Sequence, residues 1–163
     1  MDYHRRIRSE LMRVESYLRE LSDLESSEYR PWTKLLKMFQ SIADNLAMHL
    51  VKEEAFVLRY IEQMEESKRT GSPPPKANFP SLEIPLEFIK LEHEDIMNKL
   101  IELETTSRNL KTQGLDSIDK ALANKALLAL QQFQSLISTA MDFETQQLFK
   151  EAIDLENDIN DND

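Results

Sequence analysis

Apolar residues recur at steps of three and four along four long stretches of this chain, the spacing of one buried face on a helix. The first stretch runs from about Tyr3 to Leu24, with the stripe Ile7, Leu11, Val14, Leu18 and Leu21. The second starts near Pro31, a good first-turn residue because its missing N–H costs nothing there. Its stripe is Trp32, Leu35, Phe39, Ile42 and Leu46, then His49 and Glu53, then Phe56 and Tyr60. The third opens around Pro85 and carries Leu86, Ile89, His93, Ile96, Leu100 and Leu103. A short loop around Gly114 follows, with Asp116 or Ser117 as a cap for the fourth helix. The fourth stripe is Ala126, Leu130, Phe133, Ile137, Ala140, Glu144 and Leu148. Strand-like alternation is scarce between these stretches.

The punctuation between them sets the topology. Residues Ser67 to Pro85 contain Gly71, the run Pro73-Pro74-Pro75, Pro80 and Pro85, through which no helix can run. The two outer connections are short, which favours antiparallel neighbours. The Pro-rich middle one is long enough for either a simple antiparallel return or a crossover. The expected fold is therefore all-α, an antiparallel four-helix bundle, up-down-up-down rather than crossed over. One domain covers residues 1–156, with Trp32 as a plug at the bundle end. Residues 157–163 form an acidic tail, and fraying is expected there because negative charge at a helix C-terminus opposes the macrodipole.

Composition narrows the chemistry. The chain has 163 residues, 30 Asp and Glu against 20 Lys and Arg, a formal net charge of −10, no Cys, 2 Gly and 3 His. Missing cysteine excludes disulfides and cysteine-ligated metal sites. The acidic balance argues against nucleic acid as a partner, and two glycines leave little material for a phosphate-cradling loop. The first ten residues lack the apolar core of an export signal, and no run of 18 apolar residues is present, so the cytoplasm and no membrane are expected. With no nucleophile elbow and no Ser beside a His, a conventional enzyme is not expected and no catalytic residue is assigned.

The polar residues that interrupt the stripes carry the remaining chemistry. His4 lies three residues before Ile7; His49 and Glu53 are four apart; His93 is on the third stripe and Glu144 on the fourth. In an antiparallel bundle the start of the first helix, the end of the second stripe, the start of the third helix and the end of the fourth stripe share one layer of the core. Three imidazoles and two carboxylates then point inward together. Buried groups of this kind are costly unless paired or metal-bound, and neighbouring carboxylates repel. A metal ion, or a pair bridged by the carboxylates, answers both, and this mixed donor set suits iron, manganese or zinc. The bland reading is a set of core histidines satisfied by hydrogen bonds alone. Met12, Met38, Met48, Met64, Met97 and Met141 read as core filler or flanking residues, and Glu54, Glu92 and Glu94 as mostly exposed neighbours of the stripes, one of them a candidate for supporting a ligand from behind.

These motifs resemble the hemerythrin-like HHE cation-binding domain, and more narrowly the di-iron domain of the repair-of-iron-centres proteins of nitrosative and oxidative stress. Tyr3-His4, His49-Leu50-Val51-Lys52-Glu53-Glu54, Leu91-Glu92-His93-Glu94 and Phe143-Glu144-Thr145-Gln146-Gln147-Leu148-Phe149 are similar to that family's four motifs, over nearly the whole chain. The resemblance implies iron as cofactor, His4, His49 and His93 as terminal metal ligands, and Glu53 and Glu144 as bridges. It implies a small diatomic molecule or peroxide as ligand and iron–sulfur proteins as partners.

The chain departs from the pattern in places. The fourth histidine of the family would stand four residues before Glu144, where this chain has Ala140. The prolines that follow the Leu-Phe pairs are missing, with Arg59 and Lys150 near those places, and Glu25 stands roughly where a further histidine is common. The cysteine-containing domain of longer members has no counterpart in these residues. Two readings follow from the departures: an iron protein with one ligand fewer, mononuclear or di-iron, or a degenerate bundle holding one metal or none and acting as a sensor or interaction module.

Overall fold

In the computed structural model the stripes become helices. The structure describes residues 2–26, 28–110 and 117–161. The loop around Gly114 and the Asp116 cap lie outside the described residues, as do the side chain of Ser117 and the last two residues of the acidic tail. The elements in chain order are α1 (Asp2–Leu24), α2 (Pro31–Lys52), a π-helical segment (Glu53–Leu58), α3 (Arg59–Thr70), α4 (Glu83–Arg108), α5 (Ser117–Phe143), a second π-helical segment (Glu144–Leu148) and α6 (Phe149–Asn160). The backbone stays right-handed helical across each π segment. α2 and α3 are thus one interrupted helix, α5 and α6 another, and the fold is an all-α four-helix bundle.

The chain divides into two compact units, one of residues 1–47 and 96–139, the other of residues 48–95 and 140–163. In the first, α1 and the start of α2 run antiparallel: the Ser22 and Thr33 hydroxyls meet at 2.8 Å near the turn, and Gln40 donates to Glu15 at 3.0 Å further back. Arg13 of α1 donates to Gln132 of α5 at 3.0 Å. The inward stripes hold as read except at Leu11, which is only half-buried: Ile7, Val14, Leu18, Leu21, Trp32, Leu35, Phe39, Ile42, Leu46, Ile96, Leu100, Leu103, Phe133 and Ile137 are all buried. The Phe39 and Phe133 rings meet edge to face at 5.5 Å, an arrangement that lets a positive ring edge meet a negative face. Glu25 closes the α1–α2 turn. Its carboxylate accepts the N–H of Trp32 at 2.7 Å, the N–H of Thr33 at 2.9 Å and the Thr33 hydroxyl at 2.7 Å, satisfying donors that the first turn of α2 would otherwise leave open.

The second unit is built on α3, the start of α4 and α6. Val57, Leu58, Ile61, Met64, Leu82, Leu86, Ile89, Phe149 and Ala152 form one buried cluster. α3 ends at Gly71, whose φ of +70° is the left-handed cap that glycine adopts without strain, with its N–H on the Ser67 carbonyl at 2.9 Å. The Pro-rich connection is pinned by Phe79, edge to face with Tyr60 at 5.0 Å. The Glu156 carboxylate accepts the Leu82 N–H at 2.9 and 3.1 Å, the Ser81 hydroxyl at 3.4 Å and the Tyr60 hydroxyl at 3.3 Å. It caps the start of α4 from a distance. The same anchor explains one difference from expectation: the acidic C-terminal segment stays helical to Asn160, held by Glu156 and by Lys68 on Asp158 at 3.0 Å.

A second difference concerns register. The continued 3.6-residue period predicts Phe56, Tyr60 and Leu148 on the core stripes. Phe56 is instead 62 % exposed, and Tyr60 and Leu148 are only half-buried, while Val57, Ile61, Met64 and Phe149 point inward. Each π segment begins at a glutamate on the stripe, Glu53 or Glu144, and inserts one residue into a turn. Everything beyond it on the same helix slips by one position.

Candidate metal centre

The second unit brings four of the five predicted residues together. His49 stands near the end of α2, Glu53 opens the first π segment one turn later, His93 is in the first half of α4, and Glu144 opens the second π segment. All four are buried, Glu53 completely. The fifth, His4, lies on α1 in the first unit and is also buried. Each is on an apolar stripe, which is why the fold turns it inward.

The donor atoms converge. His49 Nε2 and His93 Nε2 are 3.1 Å apart. Glu53 Oε2 lies 3.5 Å from the first nitrogen and Glu144 Oε2 lies 3.4 Å from the second. Donor atoms of His49, Glu53 and His93 all fall within 4.8 Å of one another, as do carboxylate oxygens of Glu53 and Glu144. Two nitrogens each about 2.1 Å from one cation, at right angles, would be about 3.0 Å apart. The imidazole pair has that spacing, and hard carboxylate oxygens beside borderline nitrogens make a set that divalent first-row metals accept. Two buried carboxylates this close also repel each other, and a cation removes that penalty. The residues present fit a metal ion.

The rings are held from behind. His93 stacks on Phe149 at 6.1 Å between centroids and 21° between planes. His49 Nδ1 is 2.9 Å from Glu92 Oε2, and the other Glu92 oxygen takes the Lys52 ammonium. Burial pushes the Glu92 carboxyl up, but the hydrogen bonds from Lys52 and His49, with the Lys52 charge, outweigh it and hold the group below the ordinary carboxylate value. A carboxylate only accepts, so the proton of the His49 bond sits on Nδ1; in the neutral ring this leaves the Nε2 lone pair facing His93 and Glu53. Glu92 is half-buried on the polar flank of α4, where the stripe pattern shows only a residue beside His93. One turn before Glu144, Ala140 is buried and offers a methyl group.

The family model of the hemerythrin HHE cation-binding domain matches residues 1–152, a span that holds all five residues. The chain belongs to that family. Comparison with curated proteins and with solved structures finds no match. As a hemerythrin HHE domain the chain is a metal-binding helical protein, and its buried His and Glu groups could hold the cation. Among the described residues, no helix is long and apolar enough to cross a membrane.

Proposed function

We propose that this hemerythrin-like protein binds iron through His49, Glu53, His93 and Glu144, with His4 as a further ligand, and serves the iron-centre repair or nitrosative and oxidative stress class of function. The observation that carries the reading is the imidazole pair at 3.1 Å with a carboxylate oxygen beside each ring nitrogen. Bound iron would supply Lewis acidity and a one-electron couple. The chain's own residues supply the rest: two imidazole donors, two carboxylates to neutralise positive charge, and a surrounding wall of buried side chains that limits water. A small molecule such as nitric oxide or peroxide is the ligand class that suits a site so enclosed, and a damaged iron–sulfur protein is the proposed recipient of released iron.

Ala140 supports a narrower proposal. A methyl group cannot ligate, so one iron position has a ligand fewer than the other and holds its ion more loosely. Iron analysis after anaerobic loading of wild type and Ala140→His tests this. The expected result is a rise from one tightly held iron per chain toward two. No change in stoichiometry or affinity would overturn it. The same buried methyl favours the second reading, a bundle whose metal is weak and which acts as a sensor or interaction module; a folded apo-protein with substoichiometric iron in wild type would select it.

A further inference from the structure

We infer that Glu92, held by Lys52, is a positioning residue that sets the tautomer of His49 and so determines how well its Nε2 binds a metal ion. The bonds are specific in direction. Glu92 Oε2 accepts from His49 Nδ1 at 2.9 Å, while Oε1 accepts from the Lys52 ammonium. His49 itself is 2 % exposed, whereas Glu92 is 32 % and Lys52 45 % exposed. The pair therefore reaches from solvent to the back of a buried ring. Free imidazole can carry its single proton on either nitrogen; a carboxylate at Nδ1 favours the form with Nε2 unprotonated, the form a metal needs. Partners of this kind typically change metal affinity by about 10–100-fold. Lys52 matters because a half-buried glutamate at the surface has several rotamers, and an ammonium on its second oxygen selects the one that reaches His49.

The affinity half of this inference rests on the iron reading above; the tautomer half does not. With only three histidines in the chain, long-range proton–nitrogen correlation of 15N-labelled apo-protein reads each ring directly. Wild type should show His49 protonated on Nδ1. Glu92→Ala should give a mixture of tautomers and weaken anaerobic Fe(II) binding, measured by chelator competition, by about 10–100-fold. Glu92→Gln keeps an acceptor oxygen and should restore most of both readouts, which a merely structural loss would not do. Lys52→Met should shift the same readouts in the same direction by less, and it carries the test if Glu92→Ala does not fold. His49 protonated on Nε2 in wild type, or an unchanged tautomer in both Glu92→Ala and Lys52→Met, overturns the inference. If wild type takes up no iron, the functional reading fails and the tautomer measurement still decides the role of Glu92.

Discussion

Replacing Glu53 by leucine should stabilise the metal-free protein while removing metal binding. Glu53 is completely buried and opens a π segment. A carboxylate oxygen of Glu144 lies within 4.8 Å of one of Glu53, and two buried carboxylates this close repel each other. Leucine has nearly the same volume and brings its own burial; exchanging a whole buried ionic set for apolar side chains is neutral or gains about 1–4 kcal/mol, and here a single exchange already ends the repulsion between two carboxylates. At this chain length each kcal/mol moves Tm by about 2–4 °C. A gain near 2 kcal/mol would therefore raise the apo Tm by about 4–8 °C. In wild type, iron at a hundred times its Kd adds about 2.7 kcal/mol by mass action, and that increment should vanish in Glu53→Leu. Thermal unfolding by circular dichroism, with chelator and with anaerobic Fe(II), reads both effects. A variant that loses apo stability, or that keeps the wild-type iron increment, would refute the reasoning that the site is a costly arrangement kept for a cation.

Other outcomes follow from particular bonds. Glu25→Ala leaves the Trp32 and Thr33 N–H groups without their carboxylate and should cost about 1–2 kcal/mol in urea unfolding, with iron uptake unchanged. The Tyr60 hydroxyl is pushed above its ordinary pKa, first by burial and then by the charge and hydrogen bond of Glu156. The unfolded chain then loses that proton near pH 10 while the folded one keeps it, so this contribution is full below pH 10 and is lost as pH rises beyond it; Tyr60→Phe should flatten the alkaline fall in stability. Glu15 is held below its ordinary value of 4.5, chiefly by the Gln40 hydrogen bond and then, against burial, by Arg19. Its contribution is present above that pH and lost as pH falls through the lowered value, so Gln40→Ala should make the acid side of the stability profile less steep.

The stripes were legible up to the two glutamates and misleading after them. Hydrophobic spacing locates Leu46, His49 and Glu53 on one face, and Ile137, Ala140 and Glu144 on another, because an unbroken α-helix repeats every 3.6 residues. A π turn leaves no mark in that spacing, so Phe56 and Leu148 seem to continue stripes that in fact pass to Val57 and Phe149. The buried acidic and imidazole residues were readable for a simple reason: a charged side chain on an apolar stripe is costly and needs a compensating partner. Glu92 was readable only as one of three flanking glutamates, any of which could support a ligand, because it sits on the flank among residues that solvent would satisfy equally well. Its bond to His49 depends on how two helices pack side by side, which no single-helix pattern encodes. Glu156 was hidden for the same reason. It reads as the last residue before an acidic tail, yet the N–H of Leu82 makes it a helix cap.

The most direct test of the account is iron content per chain after anaerobic Fe(II) loading and desalting, compared between wild type and the double variant His49→Ala/His93→Ala. The account predicts at least one retained iron per chain in wild type and none in the variant, with both proteins equally helical. Wild-type protein that retains no iron, or a variant that retains as much as wild type, would contradict it.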